Sequence, residues 1–166
     1  MKKMVSLLAL LGAVCCAKGQ DVDNTPVDYL DASRYLGKWY EIAKYDHSFE
    51  RDVQFATARY TLMENGKIKV ENKGIKNGME KISTGKAKFT ETPGLLRVSF
   101  FGPFYSDYRV LMVDENYRYA LVGSGSSDYL WILSRTRTVP QDVLADILAV
   151  AKSRGYNTDK LIWIKQ

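Results

Sequence analysis

A single histidine, His47, stands in the run Tyr45-Asp46-His47-Ser48-Phe49. A nucleophilic triad built on it would need a serine held on a sharp strand-to-helix turn, and Gly123-Ser124-Gly125-Ser126 reads instead as a flexible hairpin turn. His47 is therefore expected at a loop surface. One histidine, with no cysteine beyond the first 16 residues, leaves no zinc-type ligand set. No glycine cluster bridges a strand and a helix to cradle phosphate. Glu41, Tyr108 and His47 remain as the acid-base groups that an enzyme could use, and they form no catalytic constellation in the sequence. No catalytic residue, metal or cofactor is assigned.

The two cysteines, Cys15 and Cys16, close an apolar run over residues 5–16 that follows Lys2-Lys3 and is broken only by Ser6 and Gly12. That is the length of a signal-peptide core and too short to span a bilayer. The chain is expected to be exported, with two routes open. Cleavage after Ala17-Lys18-Gly19 would free a soluble periplasmic or secreted chain starting at Gln20. Alternatively Cys15 or Cys16 is an acylated first residue, since a cysteine between an apolar core and a polar tether resembles a bacterial lipoprotein signal; Gly12-Ala13-Val14 lacks the leucine usual three places upstream. Residues 1–19 are thus read as signal, 20–34 as tether and N-terminal turn, and 35–166 as the folded domain. Either route leaves that domain without cysteine.

The 166 residues are 46% apolar and carry 24 Lys+Arg against 19 Asp+Glu, which suits one globular domain with a substantial core. Losing Lys2, Lys3 and Lys18 with the leader leaves 21 basic residues against 19 acidic, near +2. Such a balance points to no polyanionic partner, and no nucleic acid is expected.

The elements that must position any site are strands. Turn signals recur at Glu64-Asn65-Gly66, Lys76-Asn77-Gly78, Thr92-Pro93-Gly94, Asp114-Glu115-Asn116 and Gly123-Ser124-Gly125. Between them, Ala58, Tyr60 and Leu62 alternate with Arg59 and Thr61, Ile68 and Val70 with lysines, and Leu96, Val98 and Phe100 with Arg97 and Ser99. Each strand has one wet and one apolar face. Runs near 37–45, 54–63, 67–74, 80–90, 95–101, 107–113, 118–123 and 128–135 give eight strands. The fold expected is all-β, an eight-stranded antiparallel up-and-down barrel, because closure removes the exposed edges of an open sheet. One later stretch has helical period. Thr138 is its expected cap, Pro140 its tolerated proline and Gly155 its stop, and Val143, Leu144, Ile147, Leu148 and Ala151 form a stripe to pack outside the barrel. Leu161-Ile162-Trp163-Ile164 could add a short edge strand.

Gly37-Lys38-Trp39 at the head of the first strand, Asp107-Tyr108, which resembles the second motif between strands six and seven, and Arg135 at the end of the eighth together resemble the three ordered motifs of the lipocalins. The likeness runs from Tyr35 to Ile164 and is nearest the bacterial outer-membrane branch, through Trp39-Tyr40-Glu41-Ile42, Phe100-Phe101-Gly102-Pro103-Phe104-Tyr105 and Tyr129-Leu130-Trp131-Ile132-Leu133-Ser134-Arg135. It implies a lipid or other small hydrophobic ligand, a fatty acid or lysophospholipid, carried without chemistry at the bacterial envelope. Gly37, Trp39 and Arg135 are then structural. Trp39 and Arg135 share inward parity and would stack at the closed end.

The same parity marks Glu41, Ile68, Ala87, Ala120 and Leu133 as interior. It nominates Ala43, Ala58, Tyr60, Val70, Phe89, Val98, Phe100, Tyr108, Val110, Val122 and Trp131 as ligand wall. These side chains could simply fill the barrel; the alanines and the family likeness favour a pocket. Glu41 needs a partner there: Arg135, a lysine near the base, or the polar head of a ligand. Gly102-Pro103-Phe104-Tyr105 with Phe101 forms an apolar loop that could cap the mouth, enter a membrane surface or join a homodimer. The competing functions are a lipocalin-fold enzyme on a hydrophobic substrate and an envelope scaffold with a filled barrel. A five-stranded oligonucleotide-binding barrel is disfavoured by strand count and export.

Overall fold

The computed structural model describes residues 21–166. Cys15, Cys16 and both processing routes lie outside the described residues. Strands β1 (Gly37–Tyr45), β2 (Gln54–Leu62), β3 (Ile68–Lys76), β4 (Met79–Phe89), β5 (Leu95–Phe101), β6 (Phe104–Val113), β7 (Tyr119–Gly123) and β8 (Leu130–Ser134) pair antiparallel in chain order. Pairing of β1 with both β8 and β2 closes the barrel.

The closure is asymmetric. β1 pairs with β2 only from Gly37 to Tyr40, and beyond that point β9 (Leu161–Trp163) pairs with Ala43, Lys44 and Tyr45. The last residues fill the seam between the parted strands: Phe55 N–H donates to the Lys165 carbonyl at 2.7 Å, and the Gln166 side-chain amide donates to the Glu41 and Ala56 carbonyls at 2.7 and 2.8 Å. The backbone groups freed by the splay are thereby satisfied.

Two apolar clusters share the wall. The inner one joins Trp39, Ala58, Tyr60, Ile68, Val70, Ala87, Val110, Ala120, Val122 and Leu133. The outer one packs Ile42, Leu111, Leu121, Leu130 and Ile132 against Ile147 and Ala151 of the helix α2 (Gln141–Ser153), whose predicted stripe faces the wall. All five residues of β7 are buried, hence the unbroken apolar run Tyr119-Ala120-Leu121-Val122. The expected cap is corrected: α2 is flanked by Pro140 with no side-chain cap, while the Thr138 carbonyl accepts from Thr136 Oγ1. Gly155 does end the helix region, at φ +87°, where other residues are strained.

The segment read as a tether is held against the barrel. Arg109 Nη1 donates to Asn24 Oδ1 at 2.9 Å, Arg154 Nη1 to the Thr25 carbonyl at 2.9 Å, and Val27 N–H to the Val110 carbonyl at 2.9 Å. It ends in a one-turn helix, α1 (Ala32–Tyr35), capped by the Asp31 carboxylate, which accepts from Ser33 and Arg34 N–H. No described helix is long and apolar enough to cross a bilayer.

Candidate functional site

The barrel has a shut end and an end covered by a loop. At the shut end Trp39 is fully buried, its Nε1 donating to the Tyr35 carbonyl at 2.8 Å. The Arg135 guanidinium lies 3.7 Å from the centre of the Trp39 ring, the expected stack. Arg135 also donates to the carbonyls of Arg34, Tyr35, Leu36, Lys38 and Tyr117, at 2.7, 3.1, 2.9, 2.8 and 3.1 Å. Four of those acceptors belong to the entry of β1 and the short helix before it, so one side chain ties the chain's entry to its last barrel strand. Gly37 sits at φ +96°, and an added Cβ would lie 3.4 Å from Arg135 Nη1; glycine suits both constraints.

The second motif is corrected in place. Asp107-Tyr108 lies within β6, not between β6 and β7. Asp107 pairs outside with Arg97 at 2.6 Å and Arg109 at 2.9 Å, which lower its pKa. The residues that reach the base come from the turn Asp114-Glu115-Asn116-Tyr117, where Asp114 Oδ1 accepts from Arg118 and Tyr119 N–H and Tyr117 offers its carbonyl to Arg135. That turn is visible in the sequence as a turn, Asp114-Glu115-Asn116.

Above the base, Tyr35, Tyr60 and Tyr108 join their hydroxyls, with Tyr35 and Tyr108 2.6 Å apart and Tyr60 donating to Tyr108 at 3.1 Å. Burial raises the pKa of all three. Ala58, Tyr60, Val70, Val110 and Val122 are buried in the inner cluster, while Phe89, Val98, Phe100, Tyr108 and Trp131 are half-buried against it. One shallow, open depression of about 290 Å³ lies where the β4–β5 pairing ends, lined by Gly85, Ser99 and Phe100 among others. A second, about 200 Å³, is a groove near Tyr40, Phe55 and Gln166.

Ala43 does not share the inner face. A bulge in β1 puts Glu41 opposite Leu133 but Ala43 opposite Ile132, so Ile42 and Ala43 both join the outer cluster. Lys44, opposite Trp131, takes the inward place. Its side chain is 3% exposed, and the ammonium donates to Glu50 Oε2 at 3.0 Å and to the Glu50 carbonyl at 2.8 Å. Glu50 arrives on the 3-10 turn Ser48–Glu50 of the β1–β2 loop.

His47, expected at the surface, is 7% exposed. Its ring stacks on Phe49 at 4.0 Å and lies 5.3 Å from Trp131 and 5.6 Å from Tyr129, which packs the loop over the barrel. His47 Nε2 is 3.4 Å from Glu50 Oε2, and burial lowers its pKa. Glu41 is 4% exposed, and its Oε2 has no hydrogen-bond partner among the described residues, neither Arg135 nor a lysine. Burial, with the Glu50 charge adding to it, pushes its pKa up to about 8. The mouth therefore holds one ammonium, one paired carboxylate and one carboxyl that is neutral at pH 7. Lys44 was missed because a one-residue bulge reverses parity without changing composition.

Comparisons with known proteins agree with this architecture. A family model described as "Lipocalin-like domain" matches residues 30–166. Outer membrane lipoprotein Blc of Escherichia coli (strain K12) is 47% identical over 162 residues, covering 95% of this chain and 92% of the relative. Apolipoprotein D of Cavia porcellus is 36% identical, covering 97% of this chain and 94% of its own. Insecticyanin from the tobacco hornworm Manduca sexta superposes with a TM-score of 0.71 at 22% identity, over 86% of this chain and 84% of that one, which speaks to fold alone. With a plugged, closed barrel, an outer helix and these matches across nearly its whole length, the chain belongs to the lipocalin family.

Proposed function

We propose that this lipocalin binds and carries a lipid, a fatty acid or lysophospholipid, without altering it chemically. The observation behind the reading is the unequal closure of an apolar, aromatic-lined barrel. Its base is locked by Arg135 on five carbonyls, whereas a loop anchored through side chains covers its mouth. No hydrogen bond joins any two of Glu41, Tyr108 and His47: Tyr108 is hydrogen-bonded to Tyr35 and Tyr60, and the carboxylate nearest His47 is that of Glu50.

The chain is exported to the outer membrane or periplasm, in line with relatives named outer membrane lipoproteins. Cys15 or Cys16 is the proposed acyl anchor. Phe101 and Phe104, 81% and 78% exposed, flank the Gly102-Pro103 tip at the open end, with Phe49, Met79 and Ile82 also exposed on that side. Lys88 lies 4.9 Å from the ring of Tyr105 beside them. Apolar tips beside cations suit an anionic lipid surface, and we take a bilayer rather than a second copy as their partner.

Mass spectrometry of protein extracted from membranes tests both parts. Native spectra should show a lipid adduct whose mass is unchanged on incubation, and denatured spectra a chain starting at Cys15 or Cys16 with added acyl mass. A converted product would replace carriage by catalysis, and a chain starting at Gln20 would remove the anchor.

A further inference from the structure

Lys44 brings an ammonium to the inner face of an apolar barrel, and the partners that satisfy it come from the loop over the mouth. Both of its close acceptors, Oε2 at 3.0 Å and the main-chain carbonyl at 2.8 Å, are Glu50's. A buried ammonium stripped of its counter-charge is costly, so the loop and the lysine hold each other. Below, on the same face of β1 after the bulge, Glu41 keeps a buried Oε2 with no partner among the described residues. The charges near this point are Lys44, Glu50, Glu41, His47 and, at the loop's rim, Asp46 paired with Arg51. Phe49 stacks on His47 and Tyr129 on Trp131, with the two pairs tilted against each other.

We propose that Lys44 is the head-group site of the barrel: the anionic head of a single-tailed amphiphile takes the place of the Glu50 carboxylate on its ammonium, so that Glu50 is an internal stand-in for the ligand. The exchange swaps one anion for another and leaves no buried charge unpaired. Glu50, 16% exposed, needs only to turn toward solvent. Glu41, protonated at neutral pH, supplies an O–H to an oxygen of the incoming head and so gains the partner it lacks. The tail runs down past the half-buried rings of Phe100 and Phe89. A carboxylate and a phosphodiester head both satisfy this chemistry; a cationic or uncharged head does not.

The inference rests on lipid carriage, and the test separates the two. Delipidated protein is titrated with oleate, oleyl alcohol and lysophosphatidylglycerol, and Trp emission is followed. Wild type should bind oleate or lysophosphatidylglycerol at least about tenfold tighter than oleyl alcohol. The anion preferred identifies the source of the head. Lys44→Met should weaken that anion about tenfold or more and leave oleyl alcohol within about threefold. Glu50→Gln should tighten the anion several-fold, since a weaker internal competitor raises the binding-competent fraction. If Lys44→Met fails to fold by circular dichroism, Glu50→Gln decides alone, and unchanged or weaker anion binding there overturns the proposal. Lys44→Met binding the anion as wild type does overturns it as well, with carriage intact when oleyl alcohol still binds. Failure of all three ligands to bind wild type overturns carriage and the head-group site together.

Discussion

Arg135→Lys keeps the charge at the barrel base and removes its geometry, which makes it the sharpest probe of how the closed end is held. The guanidinium donates to five carbonyls while its central carbon lies 3.7 Å from the centre of the Trp39 ring. An ammonium has three donors at one point and no flat face. At least two of the five bonds must be lost, at about 1–1.5 kcal/mol each for acceptors left in a half-buried site. Loss of the stack adds roughly 0.5–1 kcal/mol. The expected cost is about 3 kcal/mol, which for a domain of this size lowers Tm by roughly 6–12 °C. Urea unfolding followed by Trp emission, with thermal melts by circular dichroism, measures it. Trp39→Ala should cost about 3–5 kcal/mol as a large buried ring is lost. The double variant should lose less than the sum, because the two groups are in contact. An Arg135→Lys loss under 1 kcal/mol, or strictly additive losses in the cycle, would refute the reasoning.

Glu41→Gln should change how stability varies with pH. Above pH 4.5 the unfolded chain ionises this carboxyl while the folded chain holds its proton to about 8. Wild-type stability is therefore greatest below pH 4.5 with respect to this group and is lost as pH rises toward 8, by up to several kcal/mol. The glutamine variant should gain on wild type steadily across that window in urea titrations at pH 5, 7 and 9, and parallel curves would sink the assignment. Phe101→Ser with Phe104→Ser should weaken binding of the unanchored chain to anionic vesicles about tenfold and leave its sedimentation unchanged. Loss of a dimer at constant vesicle binding would make the tips a contact between copies instead.

The barrel was legible because alternation survives wherever one face is wet: Tyr60, Val70, Val98 and Val110 all fall on the predicted face. The Trp39–Arg135 stack followed from parity and strand order. What escaped the sequence has physical causes. The bulge at Ile42-Ala43 shifts every later residue of β1 by one place, which moves Ala43 out and Lys44 in with no change in residue type. His47 looks like a loop histidine because its neighbours Asp46 and Ser48 are polar; the ring is buried by Phe49, Tyr129 and Trp131, which meet only when the loop crosses the mouth. The one-turn helix Ala32–Tyr35 is too short for a periodic signal, and only the Asp31 cap could have announced it.

The two ends of the barrel solve one problem in opposite ways, and the difference indicates how a ligand must enter. Each end holds a cation, Arg135 half-buried over the Trp39 ring and Lys44 buried opposite Trp131 in the strand register, and each cation needs oxygen acceptors. Arg135 takes the backbone carbonyls of Arg34, Tyr35, Leu36, Lys38 and Tyr117, the first four of which cannot leave without unwinding the start of β1 and the helix before it. Opening the base therefore costs a large part of the domain's stability. Lys44 takes a side-chain carboxylate and one carbonyl from a loop whose other ties are side-chain stacking, the Asp46–Arg51 ion pair within the loop, and backbone bonds within the loop itself, Glu50 N–H to the His47 carbonyl and Val53 N–H to the Glu50 carbonyl. Releasing it exchanges rotamers and moves the loop while leaving every strand pair of the barrel intact. Under the proposed carriage, entry and release are assigned to the Lys44 end, and a variant that loosens the base should lose stability without gaining a second way in.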